Sequence, residues 1–388
     1  MAKSEFQHSE AFLQWIWENL LFDFAELETA SGERVQIINP GSLNSTDGPD
    51  FKQAKLDIGG VKWYGDIELH LKSNGWHAHG HDKDPNFNTV VLHVVAEGEN
   101  REVTCENGAK PYILNLSNYL PDELKVFLKS FQTTKGLPCG SALNFISEEA
   151  FLKQIEKAHI EYFEKKSDDF LKFYNPELLP SKAWKHALIL SVWDGLGISY
   201  NRQSMQQTAR YFLERWKGGS VKEGIHLAKN LAGVGEETSD ISWNFKSVRP
   251  ANHPKKRIEQ AVVITLQILA NSFEDFLSIR SLNLWQTWTQ NISVKRSSRM
   301  EILYGTVFLP SLYVLSKLYA HQKLSEEVLS KWKELKTPIP SSLLKKFNFL
   351  PVDSKLYRKK LGTIHQLKSY CGPVRCSECF VLKNAIQS

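Results

Sequence analysis

The chain reads as an α+β protein, with an N-terminal mixed sheet domain over residues 1–146, an all-helical domain over 147–335 and a Cys-rich tail over 336–388. Three observations predict this. Residues 51–72 alternate apolar and polar with the period of strands that bury one face. From about Ser147 onward the apolar residues recur instead at helical spacing. Three of the five cysteines then crowd into residues 371–379.

In chain order, residues 8–28 carry Phe12, Leu13, Trp15, Ile16, Trp17, Leu20 and Leu21 at the spacing of an amphipathic helix. A turn at Ser31–Gly32 leads to a short strand, Val35–Ile38. The glycine-punctuated loop 40–49 precedes a strand at Phe51–Ile58. Gly59–Gly60 is a two-residue hairpin turn, followed by a second strand over Val61–Lys72. Asn88–Ala96 is a nearly continuous apolar strand, which suits a central position in the sheet. Helical periodicity then covers 147–175, 181–198, 202–217, 254–274, 275–291, 299–320 and 324–335, with joints at Pro176, Pro180, Pro250 and Pro254. The apolar run 300–320 contains Glu301, Pro310 and Lys317, so it reads as a buried helix kinked at Pro310 rather than a membrane span.

Composition narrows the class. Of 388 residues 42% are hydrophobic and 23% charged, ordinary for a globular protein, and 11 Trp with 21 Phe argue against long disorder. The net charge of +5 is compatible with a polyanion such as nucleic acid without requiring one. The N-terminal MAKSEFQHSEAF lacks the apolar core of a secretory signal, which together with an odd number of cysteines predicts a reducing, cytoplasmic location and no membrane partner.

The chemistry concentrates in GDIELHLKSNGWHAHGHDKDPNFNTVVLHVV, residues 65–95, which holds five of the twelve histidines. Ile67, Leu69 and Leu71 point to one face of the strand, and Asp66, Glu68, His70 and Lys72 to the other. His77, His79, His81 and His93 follow closely, an imidazole density beyond what solvation needs. His93, inside an apolar run, reads as a core histidine. The register tests whether Asp50 can join Glu68. The Gly59–Gly60 turn pairs Ile58 with Val61, Leu56 with Trp63 and Ala54 with Gly65. Continued without a break, it sets Asp50 opposite Leu69, on the face away from Glu68 and His70. A bulge, or an irregular start after Pro49, would bring the two acids together.

Two further segments stand out. Cys371, Cys376 and Cys379 form C-x4-C-x2-C, spaced to put three thiolates on one zinc ion or iron–sulfur cluster, with His365 or the distant Cys139 as the fourth ligand. Cys105 reads as a small apolar residue. At 247–257, Arg249, Lys255, Lys256 and Arg257 surround the start of a helix opened by Pro254. Cations there oppose the helix dipole unless an anion such as a phosphate group is bound.

Asp50 before one strand, then Glu68, His70 and Lys72 on the next, resembles the metal-dependent nucleases of the PD-(D/E)xK superfamily, with His70 where that pattern has its Lys. The resemblance implies that Asp50 and Glu68 hold a divalent ion, Mg or Mn, and that His70 or Lys72 positions the attacking water. His79 and His81 are further candidate ligands. The motifs GSLN (41–44), GPDF (48–51), GDIELH (65–70), WHAHGHDKD (76–84), VVLHVV (90–95) and RPANHPKKR (249–257), with the cysteine tail, resemble a bacterial family of unknown function, domain of unknown function 2851. Asn44, Asp50, Glu68, His70, Trp76, His79, His81, Asp84 and His93 fall on its motif positions and His77 does not. The family implies a cytoplasmic bacterial protein with a mixed N-terminal part and a helical remainder, and supplies no activity to carry over.

Three functions fit these readings. The first is a divalent-metal-dependent nuclease or phosphodiesterase, with nucleic acid guided by the basic helix start. The second is a non-catalytic nucleic-acid- or protein-binding scaffold with a structural metal in the tail. The third is a His-based metallohydrolase acting on a small molecule, which requires the 76–84 loop to converge with Glu68.

Overall fold

A computed structural model describes the chain except for Met1, Ser45, residues 134–136, Pro138, 140–146, 198–199, 247–249, 291–297, 348–351 and Ser388. The first helix, α1 (Ala2–Glu18), is followed by strands β1 (Leu27–Glu28), β2 (Arg34–Asn39), β3 (Ser42–Leu43), β4 (Phe51–Ile58) and β5 (Val61–His70). A short helix α2 (Gly75–Ala78), β6 (Val90–Val95), β7 (Tyr112–Asn115) and α3 (Asp122–Thr133) complete the N-terminal part. The strands form one mixed sheet in the order β1-β2-β4-β5-β6-β7, with β3 paired to the start of β4. From β1 to β5 the pairing is antiparallel, and β5, β6 and β7 run parallel. This is the expected α+β architecture, with β6 between two neighbours.

Helix α1 buries Phe12, Leu13, Ile16 and Trp17, one stripe of its surface, in the core formed by Leu56, Ile67, Leu69, Leu92 and Val94. It ends ten residues before the 28 expected from sequence. Leu20 takes a left-handed conformation (φ 49°), and Leu21 N–H donates to the Ile16 carbonyl at 3.0 Å, which closes the helix. Phe22 and Leu27 then reach the core separately, so apolar spacing alone overstated the helix.

The hairpin follows the predicted register at its turn, where Gly59 and Gly60 both take positive φ (61° and 82°), as a type I′ turn demands. Farther along, the ladder shifts. Ala54 pairs with Gly65 but Phe51 pairs with Ile67, so one residue of β4 is surplus. Gln53, at φ 59°, lies within that bulge. Asp66 pins it: one carboxylate oxygen accepts from Gln53 N–H at 3.0 Å, and the other from Lys52 Nζ at 3.0 Å and Thr89 Oγ1 at 2.6 Å. Asp66→Ala is expected to cost about 2–3 kcal/mol in denaturant unfolding, because it orphans a backbone donor and two side-chain donors together.

Contacts divide the chain into two compact units. One comprises Met1–Gln154, Leu344–Asp353 and Gln366–Ser388, and the other Ile155–Leu343 and Ser354–His365. The segment after residue 336 is thus shared between them. The second unit is helical, with its longer helices after residue 171 at Pro180–Leu196, Arg202–Arg215, Val221–Leu231, Pro254–Ala270, Leu309–Leu318 and Gln322–Glu334. Its core indoles are polar-satisfied: Trp184 Nε1 donates to the Ser311 carbonyl and Trp193 Nε1 to Thr265 Oγ1. The expected kink at Pro310 takes the form of a π-helical turn at Tyr304–Phe308, in which the Leu309 N–H reaches the Tyr304 carbonyl just before the proline. Among the described residues, no helix is long and apolar enough to cross a membrane.

Candidate metal centre

The bulge decides the site. With Phe51 opposite Ile67, Asp50 comes level with Glu68 instead of Leu69. Asp50 N–H donates to Glu68 Oε2 at 3.0 Å, and Asp50 Oδ2 accepts from Leu69 N–H at 2.9 Å. Gln14 of α1 donates Nε2 to Asp50 Oδ1 at 2.7 Å. Asn44 fixes the approach to Asp50 by donating to the Asp47 and Pro49 carbonyls, and its own N–H donates to the Asp50 carbonyl.

Asp66, Glu68 and His70 are all buried, so the ionisable face of β5 is not a solvated surface. His79 follows α2, and His81 begins a short 3-10 turn after Gly80. His70 Nε2 lies 3.1 Å from His79 Nδ1 and 3.6 Å from Glu68 Oε1, while His81 Nε2 is 3.0 Å from the same Glu68 oxygen. Close as that last contact is, the ring is not aligned for a hydrogen bond, and His81 Nε2 stays buried without one. Ligand atoms of His70, His79 and His81 all lie within 4.8 Å of one another. Bonds of about 2.0–2.1 Å to a first-row metal ion give ligand-to-ligand edges of about 2.9–3.4 Å, so the set fits one such ion with little movement. His79 is exposed and leaves an open side.

Close approach to His70 has a backbone cause. A Cβ on Gly75 would sit 2.3 Å from the His70 ring, so only glycine lets α2 lie against it. On the far side, His93 Nε2 is 2.9 Å from His70 Nδ1. Ligation through His70 Nε2 requires the tautomer whose Nδ1–H donates to His93, the usual arrangement behind a metal-bound imidazole. His81 stacks on Phe87 at 3.7 Å, and Trp76, anchored by its Nε1 to the Thr104 carbonyl, packs edge-on against His81.

Burial controls the charge state. It pushes Asp50 up to about 7, aided by the nearby Glu68 carboxylate, and Glu68 up to about 8. Glu10 of α1 is also raised, chiefly by burial, and is close enough to feel His79 and Asp50. The imidazoles move the other way: burial lowers His81 to about 4, His93 to about 3 and His70 well below its ordinary value, aided for His70 by the neighbouring rings. Near neutral pH these rings are uncharged and keep their lone pairs, while the carboxyls hold protons that a cation would displace.

The other expected site residues lie elsewhere. Lys72 follows the end of β5, is exposed, and places Nζ 3.6 Å from Glu97, so it does not join the cluster. His77 faces Asp82 at 3.5 Å, and Asp84 caps a short turn by accepting from Asn86 N–H. Arg257 is buried and donates to Gln260 and Asn252, so its guanidinium is committed inside the helical unit. Lys255 and Lys256 are exposed, and Arg249 lies outside the described residues. His365 belongs to the helical unit, with Nε2 3.4 Å from Glu161 Oε2. Cys105 packs in a small apolar cluster with Trp76 and Phe87, as expected.

The profile of a protein family of unknown function, DUF2851, matches residues 10–215. The chain belongs to this family. No curated protein and no solved structure matches it. The DUF2851 match takes in α1 from Glu10 onward, the whole sheet and every residue of the histidine–carboxylate cluster, and it ends before the basic helix start and the clustered cysteines.

Sequence reasoning missed two members of the site. Gln14 and Glu10 stand one turn apart on α1, but nothing in a helix names its distant polar partner. His93 is fully buried as expected of a core residue, yet it supports His70 and leaves its own Nδ1 without a hydrogen bond. His93→Phe keeps the aromatic packing and removes the support. It is expected to leave the fold intact and weaken metal binding about 10–100-fold, measured by isothermal calorimetry.

Proposed function

We propose that this protein is a cytoplasmic, divalent-metal-dependent phosphodiesterase acting on nucleic acid. The observation that carries the reading is the β4 bulge, which brings Asp50 beside Glu68 at a cluster of three imidazoles. His70, His79, His81 and Glu68 would hold the ion, with Asp50 next to them. The imidazole-rich donor set favours Mn or Zn over Mg, which prefers oxygen ligands and keeps its waters. Such an ion, when bound, acidifies water and neutralises charge on a phosphoryl oxygen. Asp50, raised toward neutrality and held by Gln14 and Leu69 N–H, is suited to accept a proton from the attacking water. Exposed Lys255 and Lys256 offer contacts to the phosphate backbone without reading its sequence.

The convergence of the 76–84 loop with Glu68 also supports hydrolysis of a small molecule. One experiment separates the readings: cleavage of single- and double-stranded DNA and RNA, and of a small phosphodiester, by chelator-treated protein resupplied with Mn, Zn or Mg. Metal-restored nucleic-acid cleavage is expected. Turnover of the small ester alone would favour the second reading, and no turnover with any ion would leave a binding scaffold.

A further inference from the structure

Four cysteines outside the histidine cluster converge within the sheet unit. Cys139, just after α3, and Cys371, Cys376 and Cys379 in the last segment line one small cavity walled by Phe127, Phe151, Phe347 and Leu382. Cys139, Cys371 and Cys376 are in no disulfide. Burial, with the other sulfurs close by, raises Cys139 to about 12 and raises Cys371 and Cys376 as well. Four sulfurs converging in a cavity walled by apolar side chains suit ligation.

Polar support is built in around them. Gln154 Nε2 donates to Gln366 Oε1 at 2.8 Å, which fixes the amide and turns Gln366 Nε2 to Cys371 Sγ at 3.4 Å and Cys379 Sγ at 3.7 Å. Gln154 Oε1 in turn accepts from the Phe380 N–H at 2.9 Å. N–H groups directed at sulfur stabilise thiolate ligands, and a buried amide has little other reason to face two of them.

Spacing separates the two metals that thiolates favour. A single zinc at about 2.3 Å from each sulfur draws the sulfurs to about 3.8 Å apart. Among the described residues, no three of these sulfurs fall within 4.8 Å of one another. A cluster spreads its thiolates over several irons and fits the wider set.

We propose that Cys139, Cys371, Cys376 and Cys379 ligate a four-iron, four-sulfide cluster that fastens the C-terminal segment to the sheet unit. Ligation forms four iron–sulfur bonds and releases the four thiol protons. The role is structural and independent of the chemistry at the histidine cluster.

The test uses the full-length protein purified without oxygen. Iron and acid-labile sulfide are each expected at about four per chain, with a cubane signature in Mössbauer spectra. Cys376→Ala and Cys139→Ala should lose the iron and sulfide, while Cys105→Ala keeps them. One zinc per chain without sulfide, wild-type protein with no metal, or a cluster retained in Cys139→Ala would each overturn the proposal. If the ligand variants fail to fold, the iron and sulfide content of the wild-type protein decides alone.

Discussion

Glu68→Gln is expected to lower metal-dependent turnover by at least about 100-fold and to weaken Mn or Zn binding in parallel, because Glu68 Oε1 lies near both His70 and His81. The same change should not destabilise the metal-free protein. Glu68 is buried and raised to about 8, so near neutral pH it already carries a proton, and Gln has nearly the same shape. Activity and stability therefore move apart, the mark of a group retained for binding at some cost to the fold. Thermal melts with and without metal, run beside the cleavage assay, check both halves. A variant that melts like wild type and still cleaves at the wild-type rate would remove Glu68 from the mechanism.

A second large effect is expected from pH. Folding raises Asp50 to about 7 and Glu68 to about 8, so the folded metal-free protein holds these protons more tightly than the unfolded chain. Their contribution to stability is complete in acid, below the ordinary carboxylate values, and is lost as pH climbs through about 7 and 8. The histidines oppose this at lower pH. With folded values near 4 for His81 and 3 for His93, they contribute above about 6.5, and that contribution falls away as pH drops toward 4 and 3. Between about pH 6.5 and 8 the carboxyls dominate, and metal-free protein should lose stability with rising pH. Metal needs the same carboxyls deprotonated, so affinity should rise by up to about tenfold per pH unit for each proton displaced. The gain in melting temperature on adding Mn or Zn should accordingly be small near pH 6 and reach on the order of 5 °C near pH 8. A gain that shrinks with rising pH would show that the ion does not compete with these protons.

Much of the fold was legible because it rests on local signals. Gly59–Gly60 set the hairpin and its register near the turn, and the alternation of Ile67 and Leu69 with Glu68 and His70 assigned the faces of β5 correctly. The bulge was legible too, though only in hindsight of spacing. The buried residues of β4 fall at Phe51, Ala54, Leu56 and Ile58, and the step of three between the first two marks the surplus residue. Extending the register unbroken placed Asp50 on the wrong face. Helix Val221–Leu231, absent from the expected helices, carries a plain start signal, the capping box of Ser220 and Glu223.

What the sequence could not supply was long-range. The histidine loop was recognised by composition, but its convergence on Glu68 depends on Gly75 lying against the His70 ring and on the parallel pairing of β5 with β6. Lys72 sat on the correct alternation, yet β5 ends two residues earlier, so its period stopped carrying meaning. Arg257 shared a basic run with Lys255 and Lys256 but turns inward at helical spacing. Cys139 was named as a distant partner of the clustered cysteines, and only the folded chain brings them to one cavity.

The surplus residue in β4 makes the protein respond unequally to shortening and lengthening. Excising Gln53 would leave a plain ladder in which Asp50 still faces Glu68, so the strand carries one residue it can spare. Inserting a residue between Asp50 and Ala54 would need a second irregularity; otherwise the acid turns to the opposite side of the sheet. In this hairpin, parity rather than composition determines whether the two acids meet.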